Sequence, residues 1–487
     1  MHVVFRESHG LEESETPFDL QQSPADLVVL SFSDSDLGAF AAGWHRGDGK
    51  LPALRLANLT ALKHPLSVDT YVEQTLEGAK GILIRLIGGY AYWSYGLQQV
   101  EALCRAKSIA LAVLPADGRT DTRLDEVSTL PVSTLRRLSH LCDQGGEVAA
   151  QAALAQLSLA AGLYAGPVRG AKGVPSVGAW TPEHGVTCPV AAFAPDSENP
   201  RVLISFYRAY LTSADMAPIT ALFESLRAKG CDVVALFAPS LKAPDAATWL
   251  RRQTLALKPD EIINATSFSG KGADGTFPLD AAGVPVFQVA LSTSRRKAWN
   301  EEERGLSPTD LAMHVVLPEV DGRIFSGVTS FKEPRKKDHD LQFARFAHRV
   351  EPPRIEAITK RVIRWITLGQ NNNADLTPAI VLSTYPGKDW QMAHAVGLDA
   401  IASTDAILDD LNDAGWATQS AAPLEASLGT ETIAWYLADY QAALQTLPQT
   451  LQDDLSNAWG NPSDDPAFRD GALHFSATRR GAALIAL

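Results

Sequence analysis

The chain is poor in cysteine: four residues, Cys104, Cys142, Cys188 and Cys231, lie far apart with no C-x-x-C among them. That spacing excludes a disulfide scaffold and the common zinc patterns. No signal peptide is visible over Met1 to Asp19, so thiols in a reducing cytoplasm are the expectation. Basic charge is also in deficit, with 43 Lys and Arg against 56 Asp and Glu, a net charge of −13. Nucleic acid and anionic membranes reward a basic surface, and neither is expected as a partner. Long hydrophobic runs are missing too. The most apolar long segment, Val148 to Tyr164, is alanine-rich and interrupted by Gln151 and Gln156. It reads as a packed helix rather than a membrane span.

Nucleotide and hydrolase signatures are absent as well. Gly270-Lys271 and Gly387-Lys388 lack both the upstream glycine and the following hydroxyl residue of a P-loop. No G-x-G-x-x-G follows a strand, and neither G-x-S-x-G nor H-E-x-x-H occurs. The eleven histidines are scattered without metal-ligand spacing. No catalytic constellation stands out from the residues themselves.

What the sequence does contain is alternation. Apolar residues make up 46% of 487 positions, enough for about three domains at roughly 150 residues each. Asp26 to Ser33, Pro52 to Leu59, Gly81 to Ile87 and Ile109 to Pro115 read as strands. Helices separate them, one running through Trp44 and others marked by Val68, Tyr71, Val72 and Leu76 and by Leu97, Val100 and Leu103. Short apolar strands alternating with helices predict parallel sheets joined by right-handed crossovers. Gly166 to Pro200, rich in Pro and Gly, reads as a connector. Arg201 onwards repeats the pattern: strand Val202 to Phe206, a helix from about Ala214 stopped by Gly230, and strand Asp232 to Pro239. Strand-like stretches Glu261 to Phe268 and Val284 to Leu291 follow, and Asp310 to Val316 and Arg323 to Phe331 complete the domain. Asp340 to Leu368 reads as a helical hairpin interrupted at Pro352-Pro353. Beyond a polar linker, strand Ala379 to Thr384, helix Ser403 to Gly415, helix Thr430 to Leu447 and terminal strand Ala482 to Leu487 start a third unit. The expected domains are therefore 1–146, a helix and connector at 147–200, 201–335, a helical linker at 336–377, and 378–487. The last ends on a strand without a cap, which predicts an N-terminal piece of a longer protein. The fold class is α/β: several parallel-sheet domains joined by helical and Pro/Gly-rich connectors.

Ligands of parallel sheets meet the carboxyl ends of the strands. Ser31, Ser33, Asp34 and Asp36 lie at such an end, where helix capping competes with ligand contact. Arg85 sits inside an apolar strand and needs a partner, either a buried carboxylate or a ligand. Tyr90, Tyr92, Trp93 and Tyr95 follow Gly88-Gly89. They suit stacking on a planar ring, and equally helix-to-sheet packing. Tyr207 and Arg208 end the first strand of the second domain. Glu319 and Asp321 form either a carboxylate pair or a turn. Tyr385, Lys388 and Asp389 follow the first strand of the third unit. The basic residues Arg354, Lys360, Arg361 and Arg364 share one side of a helix, as a solvated face would.

Four stretches carry a resemblance to a known family. They are LVVLSFSDSDL (Leu27 to Leu37) with RLIGGYAYWSYG (Arg85 to Gly96); Val202 to Lys242; Ile263 to Arg323, with INATSFS and GLSPTDLAMHVVLPEVDGRI; and IVLSTYPGKDWQMAHAVGLDAIAS (Ile380 to Ser403) with Trp459 to Leu487. In this order they resemble the N-terminal part of the large subunits of aerobic cobaltochelatases (CobN), relatives of the magnesium chelatase H subunits. Trp390, His394 and Ala395 depart from the family's usual Gly, Asn and Gly.

The resemblance implies a tetrapyrrole-binding subunit that hosts Co(II) insertion into hydrogenobyrinic acid a,c-diamide during cobalamin biosynthesis. Cobalt is then a substrate, no metal is resident, and ATP is hydrolysed by separate AAA+ subunits of the CobS and CobT type. It places the proton-abstracting bases downstream of this chain, so the piece alone is expected to be inactive. The candidate substrate contacts are the Ser33, Asp34, Asp36, Arg85, Tyr92, Trp93, Tyr207, Arg208, Glu319, Asp321, Tyr385, Lys388 and Asp389 side chains. Two other readings stay open: a magnesium chelatase H subunit acting on protoporphyrin IX, and a non-catalytic α/β scaffold.

Overall fold

The computed structural model describes residues 17–116, 121–170, 173–189, 198–272, 275–383, 393, 397–418, 423–428 and 430–486. The chain divides into two compact units, Met1–Ile366 and Thr367–Leu487.

The first unit opens with β1 (Leu27–Ser31), α1 (Asp34–Arg46), β2 (Leu54–Asn58), α2 (Pro65–Gln74), β3 (Gly81–Leu86), α3 (Ser94–Lys107), β4 (Ala110–Pro115), α4 (Thr122–Val127), α5 (Val132–Gln144) and α6 (Glu147–Ala160). The four strands form an all-parallel sheet in the order β2-β1-β3-β4. Every residue of β1 and β3 is buried. Alternate side chains explain why. Leu27, Val29 and Leu83 face a core shared with α1, α5 and α6, while Val28, Leu30, Ile82 and Ile84 face α2 and α3. A strand covered on both faces has to be apolar at every position. The alanine-rich α6 is buried along most of its length and lies against α1. Close approach requires Gly43 there, because a Cβ would fall 2.6 Å from the Gln151 backbone nitrogen.

A second sheet follows, built from β5 (Gly178–Thr181), β6 (Gly185–Thr187), β7 (Arg201–Tyr207), β8 (Asp232–Ala238), β9 (Glu261–Asn264), β10 (Val286–Ser292), β11 (Ile324–Pro334) and β12 (Phe346–Val350). Between them lie α7 (Arg208–Thr212), α8 (Ala217–Ala228), α9 (Pro244–Leu257), α10 (Arg296–Glu301), α11 (Pro308–Leu311) and α12 (Leu317–Val320). The strand order is β12-β11-β10-β9-β7-β8-β5-β6, parallel from β8 to β11 and antiparallel at both margins. Helix α8 and α13 (Pro352–Gln370) cover one face, and α9 covers the other.

The α/β reading with parallel sheets holds, and two local expectations in this unit are corrected. The connector 166–200 contains the hairpin β5–β6, which extends the sheet beyond β8. Its three- and four-residue strands are too short for a periodicity signal. The expected helical hairpin over Asp340 to Leu368 is a strand, β12, followed by a single helix. Pro352-Pro353 opens that helix instead of interrupting one, since proline suits a first turn and biases the preceding residue towards extended backbone. Asp310 to Val316 is helical, with a π-helical turn over Ala312–Val316 between α11 and α12.

The boundary between the units falls inside α13. The second unit contains β13 (Ala379–Val381), α14 (Ala400–Asp413), α15 (Leu424–Leu428), β14 (Thr432–Tyr436), α16 (Leu437–Leu444), α17 (Gln449–Trp459), β15 (Phe468–Arg469), β16 (Ala472–Arg480) and β17 (Ala483–Ala486). Its sheet runs β13-β17-β16-β14, with β13 and β17 parallel and β15 paired to β16. The expected helix over Thr430 to Leu447 is strand β14 followed by α16. Thr432, Ile433, Trp435 and Tyr436 are β-formers, and β16 supplies the antiparallel partner that favours them as a strand.

Glu261 begins β9 fully buried, and desolvation pushes its pKa from 4.5 up to about 8. The unfolded chain ionises this carboxyl above about pH 4.5, while the folded chain keeps the proton to about pH 8. The native state therefore binds more protons across that window, and stability falls as pH rises through it. Glu261→Gln, which mimics the protonated form, will raise Tm at pH 8 and converge on the parent at pH 4. Thermal unfolding at several pH values measures this, and a pH-independent difference contradicts it.

Candidate functional site

In the first sheet, β1 is flanked by β2 on one side and β3 on the other, so the winding reverses between β1 and β3. A crevice opens at such a switch point beyond the carboxyl ends. Ser31 and Arg85 lie side by side there, paired in register. The next turn of chain supplies their common partner. The Ser31 hydroxyl and Arg85 Nε both donate to Asp36 Oδ2, each at 3.0 Å. Arg85 also donates to Asp143 Oδ1 at 3.4 Å. Ser33 caps α1 by accepting from the Asp36 amide, and Asp34 accepts from Asn58 Nδ2 at 2.8 Å.

Arg85 is 3% exposed. Burial by itself lowers its pKa, but Cys142, Asp36 and Asp143 outweigh that and hold it above the usual value. The Cys142 thiol is pushed up to about 11, chiefly by burial and against the pull of Arg85. Being protonated at neutral pH, it leaves the two carboxylates to carry the countercharge.

The aromatic cluster divides. Trp93 is a core residue whose indole nitrogen donates to the Leu62 carbonyl at 2.8 Å. Tyr92 is 58% exposed and stands edge-on to Phe32 with ring centroids 5.0 Å apart. The turn before them has φ +74° at Gly89, and a Cβ there would sit 2.7 Å from Asp121 Oδ2, which also accepts from the Tyr90 amide. Arg123 lies 4.1 Å above the Tyr90 ring, and the Tyr95 hydroxyl donates to Asp69. Ser33, Asp34, Asp36, Arg85 and Tyr92 therefore gather at one edge of one sheet.

The second sheet has its own reversal, between β7 and β9. Tyr207 ends β7 and donates its hydroxyl to the Ser267 carbonyl at 2.6 Å. Three residues on, Asp321 accepts from the Gly270 amide at 2.7 Å and from Ser269 Oγ at 3.0 Å. Tyr207 and Asp321 thus brace the two ends of the 267–270 loop. Glu319 is exposed and does not pair with Asp321. Arg208 points elsewhere, donating to the carbonyls of Gln144, Val174 and Pro175. Tyr385, Lys388 and Asp389 lie outside the described residues.

A buried polar network along this second edge escaped sequence reasoning. Asn264 Nδ2 donates to Gln288 Oε1, Gln288 Nε2 to the Thr266 carbonyl, and Thr266 Oγ1 back to Asn264 Oδ1, all within 2.9 Å. Asp310, fully buried, accepts from Ser292 Oγ at 2.6 Å and from the Thr293 amide and hydroxyl. His348 hydrogen-bonds Ser330 through Nδ1, and burial lowers its pKa to about 4, so it is neutral at pH 7. The available signal was a polar residue inside an apolar strand, as Asn264 and Gln288 are, the same criterion that marks Arg85. Among the described residues no group of three His, Cys, Asp or Glu side chains is placed to hold a metal ion.

Two α/β sheets, each with a polar carboxyl edge, place the chain in the class of multi-domain α/β proteins. A family model described as CobN/Magnesium Chelatase matches residues 141–487. The chain is 33% identical over 516 residues to the aerobic cobaltochelatase subunit CobN of Sinorhizobium sp., covering all of this chain and 40% of that protein. It is 25% identical over 232 residues to the magnesium-chelatase subunit ChlH of Oryza sativa, covering 45% of this chain and 16% of the relative. The catalytic subunit of cobaltochelatase from Mycobacterium tuberculosis shares the fold, with a TM-score of 0.68 at 24% identity, over 94% of this chain and 38% of that one. The chain belongs to the CobN/magnesium chelatase family and spans about 40% of the length of its CobN relative.

Arg85→Ala will remove the common partner of two carboxylates and lower stability by about 3 kcal/mol, measured by urea unfolding. Tyr92→Ala, at an exposed position, will change stability by about 0.5 kcal/mol or less. Equal losses from the two contradict the division between a structural floor and an open face.

Proposed function

We propose that this chain is the head portion of the large, tetrapyrrole-binding subunit of an ATP-dependent cobaltochelatase, a ligase that forms nitrogen–metal bonds. The substrate is hydrogenobyrinic acid a,c-diamide, and Co(II) is the metal inserted. The observation that carries this reading is the extent of the likeness: one-third identity to a CobN protein over the whole chain, against a quarter over less than half of it for a magnesium chelatase subunit.

The geometry supports a binding role for the first sheet's carboxyl edge. Arg85, held by Asp36 and Asp143, forms a rigid polar floor, and Tyr92, against Phe32 just past β1, offers an exposed ring at the same edge. A planar macrocycle has an apolar face for stacking and polar side chains for the rim. Ser33 and Asp34 orient the helix end and β2 and complete the rim. At the second edge Tyr207 and Asp321 shape the 267–270 loop, leaving Glu319 exposed beside it. Metal insertion requires removal of the inner N–H protons by bases beside a metal path. We place those bases outside this chain. ATP is used by separate AAA+ motor subunits of the CobS and CobT type, and the setting is the cytoplasm, in keeping with the absence of any helix long and apolar enough to cross a membrane among the described residues.

Absorbance titration with hydrogenobyrinic acid a,c-diamide and with protoporphyrin IX tests the reading. A spectral shift with the corrinoid alone is expected, and Tyr92→Ala will weaken it by about tenfold, a loss of about 1.4 kcal/mol. A shift with protoporphyrin alone would move the assignment to the magnesium branch. No shift with either would leave a scaffold. The chain alone, supplied with motor subunits, ATP and Co(II), will not insert cobalt.

A further inference from the structure

The second unit carries an aromatic sheet face that the described residues cover only in part. Strands β14 and β16 pair antiparallel with Trp435 opposite Leu473 and Ile433 opposite Phe475, so these four side chains share one face. Leu473 is buried, but Trp435 is 39% and Phe475 43% exposed. Their rings lie 6.3 Å apart, and Tyr440 from α16 meets Trp435 at 5.3 Å. Beyond Tyr440 the helices that follow β14 are themselves exposed, since neither α16 nor α17 buries a single residue of its own. Strand β14 is the edge of its sheet and the helices after it are short, so an exposed aromatic face here marks a contact surface.

Charge narrows the occupant. Between positions 431 and 476 there are seven acidic residues and one arginine, Arg469. A second copy of the chain would bring one acidic module against another, at a repulsive cost, and nucleic acid is excluded for the same reason. We propose that the Ile433, Trp435 and Phe475 face seats a protein surface with an apolar centre and a Lys- and Arg-rich margin, carried by the part of a family-length chelatase large subunit that this chain does not span. The relatives provide room for it, because this chain covers only 40% of the CobN of Sinorhizobium. The inference rests on the chelatase reading for the source of the partner, and on the bare face itself for its chemistry. Aromatic side chains at the centre and charge at the margin match the anatomy of protein interfaces.

Hydroxyl-radical footprinting tests it on two polypeptides: the 487-residue chain, and the same chain continued by the part of the Sinorhizobium CobN that it does not span. Trp435 and Phe475 are expected to be oxidised in the first and protected at least fivefold in the second. Tyr164, 80% exposed in the first unit, should react equally in both, and Trp180, 8% exposed, should stay protected, which controls for folding. Trp435→Glu should leave the Tm of the short chain unchanged and lower that of the long one by several degrees. Equal oxidation of Trp435 in both polypeptides with the controls in place overturns the proposal. So does protection in the short chain that grows with its concentration, which would mean self-association. A Trp435→Glu variant as stable as its parent in both also overturns it. None of these readouts involves a tetrapyrrole, so failure here and failure of the titration are separable.

Discussion

The first unit depends on guanidinium groups that bind backbone carbonyls across its two sheets. Arg55, on β2, donates to the carbonyl of Asp340 at 2.7 Å, and Arg208, just after β7, to that of Gln144 at the end of α5. Arg345, before β12, holds the carbonyls of Ser213 and Ala214 while its guanidinium lies against Gly38 of α1. Burial lowers the pKa of all three from the usual arginine value. Each pays for desolvation with several directed hydrogen bonds, which a flexible ammonium could not match in geometry. The planar fork is what lets one side chain serve two or three carbonyls at once.

Each of the two sheets carries a polar network at its carboxyl edge. At the first, one arginine and two carboxylates sit at the reversal between β1 and β3; at the second, amides and hydroxyls link β9 to β10, one strand from the reversal between β7 and β9. Charge at one edge and neutral dipoles at the other give different electrostatics on a common scaffold. At the first edge the Arg85 charge is already met by Asp36 and Asp143.

Much of this was legible from the chain. Strands covered on both faces are apolar throughout, so β1, β3, β4, β7 and β10 could be read directly. Arg85 announced a buried partner by its place in such a strand, and Asp36 sits only one turn beyond the neighbouring strand. Tyr92 and Trp93 were not separable, since their burial depends on how the chain leaves the Gly88-Gly89 turn. Strand β12 hid behind Pro352-Pro353 because Phe346 to Val350 gains its character from β11, a tertiary partner that local pattern does not show. Strand β14 was read as helix for the same reason, lacking sight of β16. Arg208 looked like a ligand residue at a strand end, and its three carbonyl partners come from segments thirty or more residues away.

A carbonyl is the same acceptor whatever residue carries it. Where Arg55 and Arg208 bind the main chain, the opposite side of each contact is free to change its side chain without loosening the joint, whereas Arg345 also requires Gly38 to stay without one. The information that aligns the two sheets is thus stored in a few arginines and in the course of the backbone. Such a joint tolerates wide sequence divergence, while replacement of one arginine has no compensating change available across the contact.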